Sequence, residues 1–136
     1  MKGANEEVVR SLVVGSPLGA LLGMAIESIE ANRVRVRLPF RAEVTTLGDV
    51  VHGGALSALV DAAATAAAWT GADLARNPRG TTVALTINFL AAARGVDVVA
   101  DARVIQRGRT LTVCEVRVES APGTLVASGL VTYKLG

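Results

Sequence analysis

The hydrophobic pattern divides the chain into stretches of different period. Residues 5–14 place Val8, Val9, Leu12 and Val13 on one side of a short amphipathic helix, and Ser16-Pro17 starts a further brief turn through Leu22. Met24–Glu30 reads as a strand, Ala31-Asn32 as a turn. Arg33–Leu38 then alternates strictly, apolar residues on one face and arginines on the other, as in a half-buried antiparallel strand with a solvated basic face. Pro39 ends it or marks an edge, and 41–51 is a loop. From Gly53 through Thr70 the pattern changes. Alanine and leucine fill about four helical turns with almost no polar half, so this helix should be buried nearly all round. Asn77-Pro78 stops it between Gly71 and Asn77. Four strands follow: Thr81–Leu90, Val96–Gln106, Arg109–Glu119 and Leu125–Lys134. Arg94-Gly95, Arg107-Gly108 and Ala121-Pro122-Gly123 connect them as hairpins. Val83, Leu85, Ile87 and Phe89 share one face of the first, and Leu125, Ala127, Gly129, Val131 and Tyr133 one face of the last.

One helix cannot cover both faces of such a sheet. The fold class is therefore α+β, an antiparallel sheet of five to six strands curled around one long helix, in a single domain over 1–136 with 1–14 as an N-terminal helical segment. Ala84 and Leu90, on the second face of their strand, call for a contact with a second copy at a sheet edge or helix side.

The few polar groups on the long helix concentrate the chemistry. Ser57, Asp61 and Thr65 recur every four residues and so form one stripe. Ser57 and Thr65 are expected to bond back to helix carbonyls. A carboxylate midway along a buried helix is costly unless paired, bonded or used, which makes Asp61 the residue to explain. Gly53 and Gly54 stand where backbone N–H groups are unpaired and the helix dipole is positive. They fit either a tight turn into the helix or a site where an oxyanion approaches the backbone. Asp61, two turns on, tips the balance toward function.

Composition narrows the field. At 51% hydrophobic and 3% aromatic, with net charge +2, the chain has dispersed arginines and no basic run interleaved with aromatics, which argues against nucleic acid. The single Cys114, flanked on its face by Thr112 and Val116, reads as a small buried hydrophobe in a reducing compartment. No apolar run reaches membrane-spanning length, no signal peptide is evident, and a cytoplasmic location is the expectation. No cluster has metal-ligand spacing, and there is no phosphate loop or Ser-His-Asp set. His52, the only histidine, is read as capping or orienting the loop, and Trp69 as core or a pocket end.

His52-Gly53-Gly54 leading into a buried helix with Leu59 and Asp61 resembles the hotdog-fold acyl-CoA thioesterases, and within them the phenylacetate-pathway (PaaI-like) subgroup. The resemblance runs from about Gly15 to the end. It implies hydrolysis of an acyl-CoA thioester, with coenzyme A entering as part of the substrate and no other cofactor. It further implies that the Gly53 N–H receives the thioester carbonyl, with Gly54 beside it, and that Asp61 acts as general base or nucleophile. His52 would support the loop or carbonyl site, and Thr82, with Thr81 adjacent, would position water. Many relatives have an asparagine six residues before the histidine. This chain has Thr46, whose shorter hydroxyl donates one hydrogen bond. Arg107, Gly108, Arg109 and Thr110 correspond to a turn near the nucleotide part of coenzyme A. The implied assembly is a homodimer, or a pair of them, in which Asp61 and Thr82 of one chain face Gly53 of the other. A non-catalytic acyl-CoA-binding module and an enoyl-thioester hydratase or dehydratase are the alternatives. The hydratase class typically uses a histidine placed differently.

Overall fold

The computed structural model describes residues 3–121 and 123–136. Two short helices, α1 (Gly3–Val13) and α2 (Pro17–Leu22), precede strands β1 (Ala25–Glu30) and β2 (Arg33–Leu38). The long helix α3 (Gly53–Trp69) follows, then β3 (Gly80–Phe89), β4 (Val98–Arg107), β5 (Leu111–Ser120) and β6 (Thr124–Leu135). The strands form one antiparallel sheet in the order β1-β2-β4-β5-β6-β3, so β1 and β3 are its edges. Its concave face holds α3, with Leu59, Val60, Ala63, Ala64, Ala66 and Ala67 fully buried against it. The alanines let sheet and helix approach closely, and each fully buried Leu or Val contributes about 1.5–3 kcal/mol. Of the Ala121-Pro122-Gly123 turn, Pro122 lies outside the described residues. Among the described residues no helix is long and apolar enough to cross a membrane.

Five sequence expectations need correction. The helix ends at Trp69, before the Gly71–Asn77 window, because tertiary caps reach its last carbonyls. Asn5 of α1 donates to the Trp69 and Ala72 carbonyls at 3.1 and 2.9 Å, and the Thr70 hydroxyl donates to Ala67 at 2.7 Å. Arg107 donates to the Ala68 carbonyl at 3.1 Å and to Asn32 Oδ1 at 2.9 Å, placing a cation at the negative end of the helix dipole.

The arginine face of β2 is half-buried and paired, not simply solvated. Arg33 forks onto Asp101, while Arg37 bonds Glu27 and Asp97. At Asp101, burial alone would raise the carboxyl pKa, but the hydrogen bond and charge of Arg33, aided by Arg103 and Arg35, lower it on balance.

On β3, a bulge between Thr82 and Ala84 shifts the register. Thr82 pairs with Tyr133 and Leu85 with Val131, so Thr82 joins the inward face that strict alternation assigns to Val83. A second irregularity, between Val118 and Glu119, takes Leu125 off the inward face of β6 and buries Val126 in its place.

Finally, α3 is not covered all round. Gly54, Ser57, Ala58, Asp61, Ala62 and Thr65 form an only partly covered stripe. Beside it β3 exposes apolar side chains, including Val83 at 51% and Phe89 at 54%. An unpaired edge strand next to a half-open apolar helix is the surface expected of a chain that pairs with another copy.

Candidate active site

His52 is the N-cap of α3, and its side chain does the capping. The imidazole folds back so that Nδ1 accepts the Gly54 N–H at 2.7 Å. A neutral ring that accepts at Nδ1 carries its proton on Nε2. Position 54 must be glycine for this geometry, since a Cβ there would lie 2.9 Å from Nδ1 and 3.0 Å from Cε1. The His52 carbonyl accepts the first intrahelical bond, from Leu56, and its own N–H donates to Val44. Of the two structural roles expected of His52, capping and loop orientation, the side chain takes the cap.

With Gly54 committed to His52, the Gly53 N–H is left at the first helical position. It donates to no acceptor among the described residues. Phe89 covers its flank, with ring carbons 3.5–3.6 Å from where a Gly53 Cβ would be. Gly53, Phe89 and Thr46 line one cleft of about 410 Å3, with Val50, Leu56 and Leu90. Thr46 itself is exposed, and its N–H donates to the Val50 carbonyl.

Asp61 lies on the partly covered stripe, where Oδ1 accepts from the Thr82 hydroxyl at 2.6 Å. The β3 bulge makes this contact possible. Behind it, the Trp69 indole N–H donates to the Tyr133 hydroxyl at 2.9 Å, and Tyr133 is the cross-strand partner of Thr82. Burial raises the Tyr133 pKa; the bond from Trp69 opposes that rise and the charge of Asp61 adds to it. Ser57 bonds back to the Gly53 carbonyl at 2.8 Å, as its spacing predicts. Cys114 is fully buried, its thiol pKa pushed up to about 11 by burial and its sulfur 3.6 Å from the Ala64 carbonyl, so it is an inert packing residue.

Asp61 follows Gly53 by eight residues, roughly 12 Å along a helix rising 1.5 Å per residue. An atom bonded to the Gly53 N–H of one chain is therefore out of reach of that chain's own Asp61. Arg107, Arg109 and Thr110 stand at the other end of α3 from Gly53. Arg107 and Arg109 line a cleft of about 370 Å3 with Arg76 and Gly71. Arg109 and Thr110 are exposed, whereas Arg107 is occupied by its helix-capping bonds. Replacing Arg107 by alanine should therefore cost stability, about 1.5–3 kcal/mol for the charged hydrogen bonds lost, read as a lower denaturation midpoint. Arg109→Ala should leave that midpoint unchanged.

Sequence reasoning missed Phe89 beside Gly53, the Trp69–Tyr133 pair and the caps on α3. Only Asn5 carried a signal, since it stands four residues before Val9 and eight before Val13 on the buried side of α1. Among the described residues no cluster of His, Cys, Asp and Glu is placed to hold a metal ion.

The thioesterase superfamily model matches residues 48–127, a span holding the cap, the half-open helix and Thr82. The chain belongs to the thioesterase superfamily. Its architecture is the hotdog fold of that family, and its reaction class is thioester hydrolysis. A candidate esterase of Halobacterium salinarum is 30% identical over 120 residues, 86% of this chain and 79% of that protein. Human acyl-coenzyme A thioesterase 13 is 29% identical over 133 residues, 96% of this chain and 93% of the relative. Among solved structures, a thioesterase family protein from Silicibacter pomeroyi superposes with a TM-score of 0.90 at 26% identity, covering 96% of this chain and 97% of that one.

Proposed function

We propose that this thioesterase hydrolyses acyl-CoA thioesters at a site shared by two copies of the chain, in the manner of the PaaI-like subgroup. The observation that carries the reading is the Asp61–Thr82 pair on a helix face left partly open, beside an unpaired apolar edge strand. Asp61 and Thr82 of one copy act on a thioester whose carbonyl oxygen is held by the Gly53 N–H of the other. Water, oriented by the Thr82 hydroxyl, gives a proton to Asp61 as its oxygen bonds to the carbonyl carbon. The carbonyl oxygen, now an oxyanion, rests at Gly53, where the helix dipole and unpaired N–H favour negative charge. The C–S bond then breaks, the electron pair leaves with sulfur, and the proton from Asp61 yields free thiol and a carboxylic acid. Direct attack by the Asp61 carboxylate, followed by hydrolysis of the anhydride, uses the same groups.

His52 and Gly54 preserve the helix end that presents Gly53. Thr46 offers a hydroxyl to the same cleft, and Arg109 and Thr110 are the free groups for the phosphates of coenzyme A. Arg107, already capping α3, contributes charge to that cleft. Thiol release from acyl-CoA with a common saturation curve tests the reading, alongside sedimentation. A dimer or larger assembly at micromolar concentration is expected. An active, stable monomer would remove the shared site, because one chain cannot bring Asp61 to its own Gly53.

A further inference from the structure

Asp61 and Thr82 stand on different elements, and the strand that carries Thr82 is held on one side only. β3 is an edge strand paired with β6 alone, and the bulge between Thr82 and Ala84 interrupts that one ladder. Backbone pairing therefore fixes the Thr82 side chain weakly. Yet its hydroxyl meets Asp61 Oδ1 on α3 at 2.6 Å. We infer that Tyr133 is what holds it there, as a positioning residue that acts on the reaction through Thr82. This rests on the acyl-CoA thioesterase reading, in which Asp61 and Thr82 act together, and deepens it.

Tyr133 is the cross-strand partner of Thr82, so the two side chains are neighbours on β6 and β3. The ring reaches from there across β3 to Gly80. A Cβ on Gly80 would lie 2.6 Å from Cε2 and 2.7 Å from Cζ of the ring, so glycine is what lets the ring lie over the strand. The far end of the ring is tied to the helix. Trp69 closes α3, and its indole N–H donates to the Tyr133 hydroxyl at 2.9 Å. Among the described residues, this bond and the Asp61–Thr82 bond are the side-chain hydrogen bonds that join α3 to β3 and β6. They lie eight residues apart on the helix, roughly 12 Å. One side chain thus sits on β6, covers β3 and is bonded to α3.

Ordinary packing does not need this arrangement. The neighbouring inward positions of β5 and β6 are filled by Val116, Val118, Ala127 and Val131, which occupy space without fixing a direction. Tyr133 adds a bond of defined direction. Its influence is geometric, because burial raises its pKa and keeps the phenol neutral beside Asp61. At 4% exposure, with its oxygen engaged by Trp69, it is placed to steady Thr82 and not to meet the thioester.

The test is a double-substitution cycle on thiol release from acetyl-, hexanoyl-, decanoyl- and phenylacetyl-CoA, with kcat and KM read separately on the assembled protein. Tyr133→Phe keeps the ring and frees it from Trp69. Gly80→Ala keeps the hydroxyl and pushes the ring aside. Each should lower kcat on the order of 10-fold and leave KM within about twofold, because misplaced reacting groups cost turnover and not ground-state binding. Thr82→Val removes the hydroxyl at nearly constant size and should lower kcat at least as far. In that background Tyr133→Phe should change kcat by less than about twofold, since the group it positions is gone. Losses that multiply in the double variant would make Tyr133 an independent packing residue and overturn the inference. So would parental kcat in Thr82→Val, or in both of the other folded single variants. The thioesterase reading survives each of those results. If the parent releases thiol from none of the four substrates, both fall together.

Discussion

Asp61→Asn should leave the protein folded and assembled while thiol release falls by roughly 10²–10⁴-fold, the usual cost of losing a general base. Loss of a nucleophile could cost more. Asparagine matches aspartate in size and can still accept the Thr82 hydroxyl at its carbonyl oxygen, so the hydrogen bond of 2.6 Å has a replacement. What disappears is charge and basicity. Stability should hardly change, because a partly buried carboxylate is seldom a net source of it. The decisive pair of measurements is turnover against a thermal melt. A normal melt with little turnover assigns the chemistry to Asp61. Near-full turnover would make the carboxylate structural and send the search for the base elsewhere.

Gly19→Ala should produce the largest loss of stability from a single added methyl group. A Cβ at that position would stand 1.8 Å from the Val13 carbonyl oxygen and 2.7 Å from Ser16 Oγ. The first is backbone and cannot rotate away, so α2 must lift from the end of α1. Overpacking of this kind costs about 1–3 kcal/mol, which for a chain of this size lowers Tm by roughly 4–12 °C. Separation of α2 from α1 also breaks the Ser16 cap, because its Oγ bonds both the Val13 carbonyl and the Gly19 N–H. Faster proteolysis between Val13 and Ser16 would accompany the lower Tm. An unchanged melt would mean that α2 is free to shift on the end of α1.

Much of this architecture is legible in the sequence because period reports burial. The alternation in Arg33–Leu38 and the alanine-rich run after Gly54 locate β2 and α3 to within a residue or two. Ser16-Pro17 marks the start of α2 for a local reason, a side chain capping a turn three residues on. The features that escape depend on groups distant in sequence. The α3 terminus is set partly by Asn5 and Arg107, which have no pattern in common with it. The inward turn of Thr82 is hidden because Val83, Leu85, Ile87 and Phe89 alternate without a flaw, and the bulge exists only in the pairing with β6. Gly53 and Asp61 stood out as residue types in context. Their separation along one helix, on which the proposed shared site rests, follows from eight residues of helical rise.

The chain contains one tryptophan and one tyrosine, and they touch. That contact sits directly behind the Asp61–Thr82 pair, so the protein carries its own optical probe. Emission excited at the red edge of indole absorption arises from Trp69 alone, and excitation absorbed by Tyr133 passes to it through space, over the short distance that their hydrogen bond fixes. Under the proposed function, substrate arrival and a change in charge at Asp61 should each alter the polarity around that one indole ring. A stopped-flow trace needs no dye and no engineered label to follow these events, and it has only one emitter to interpret.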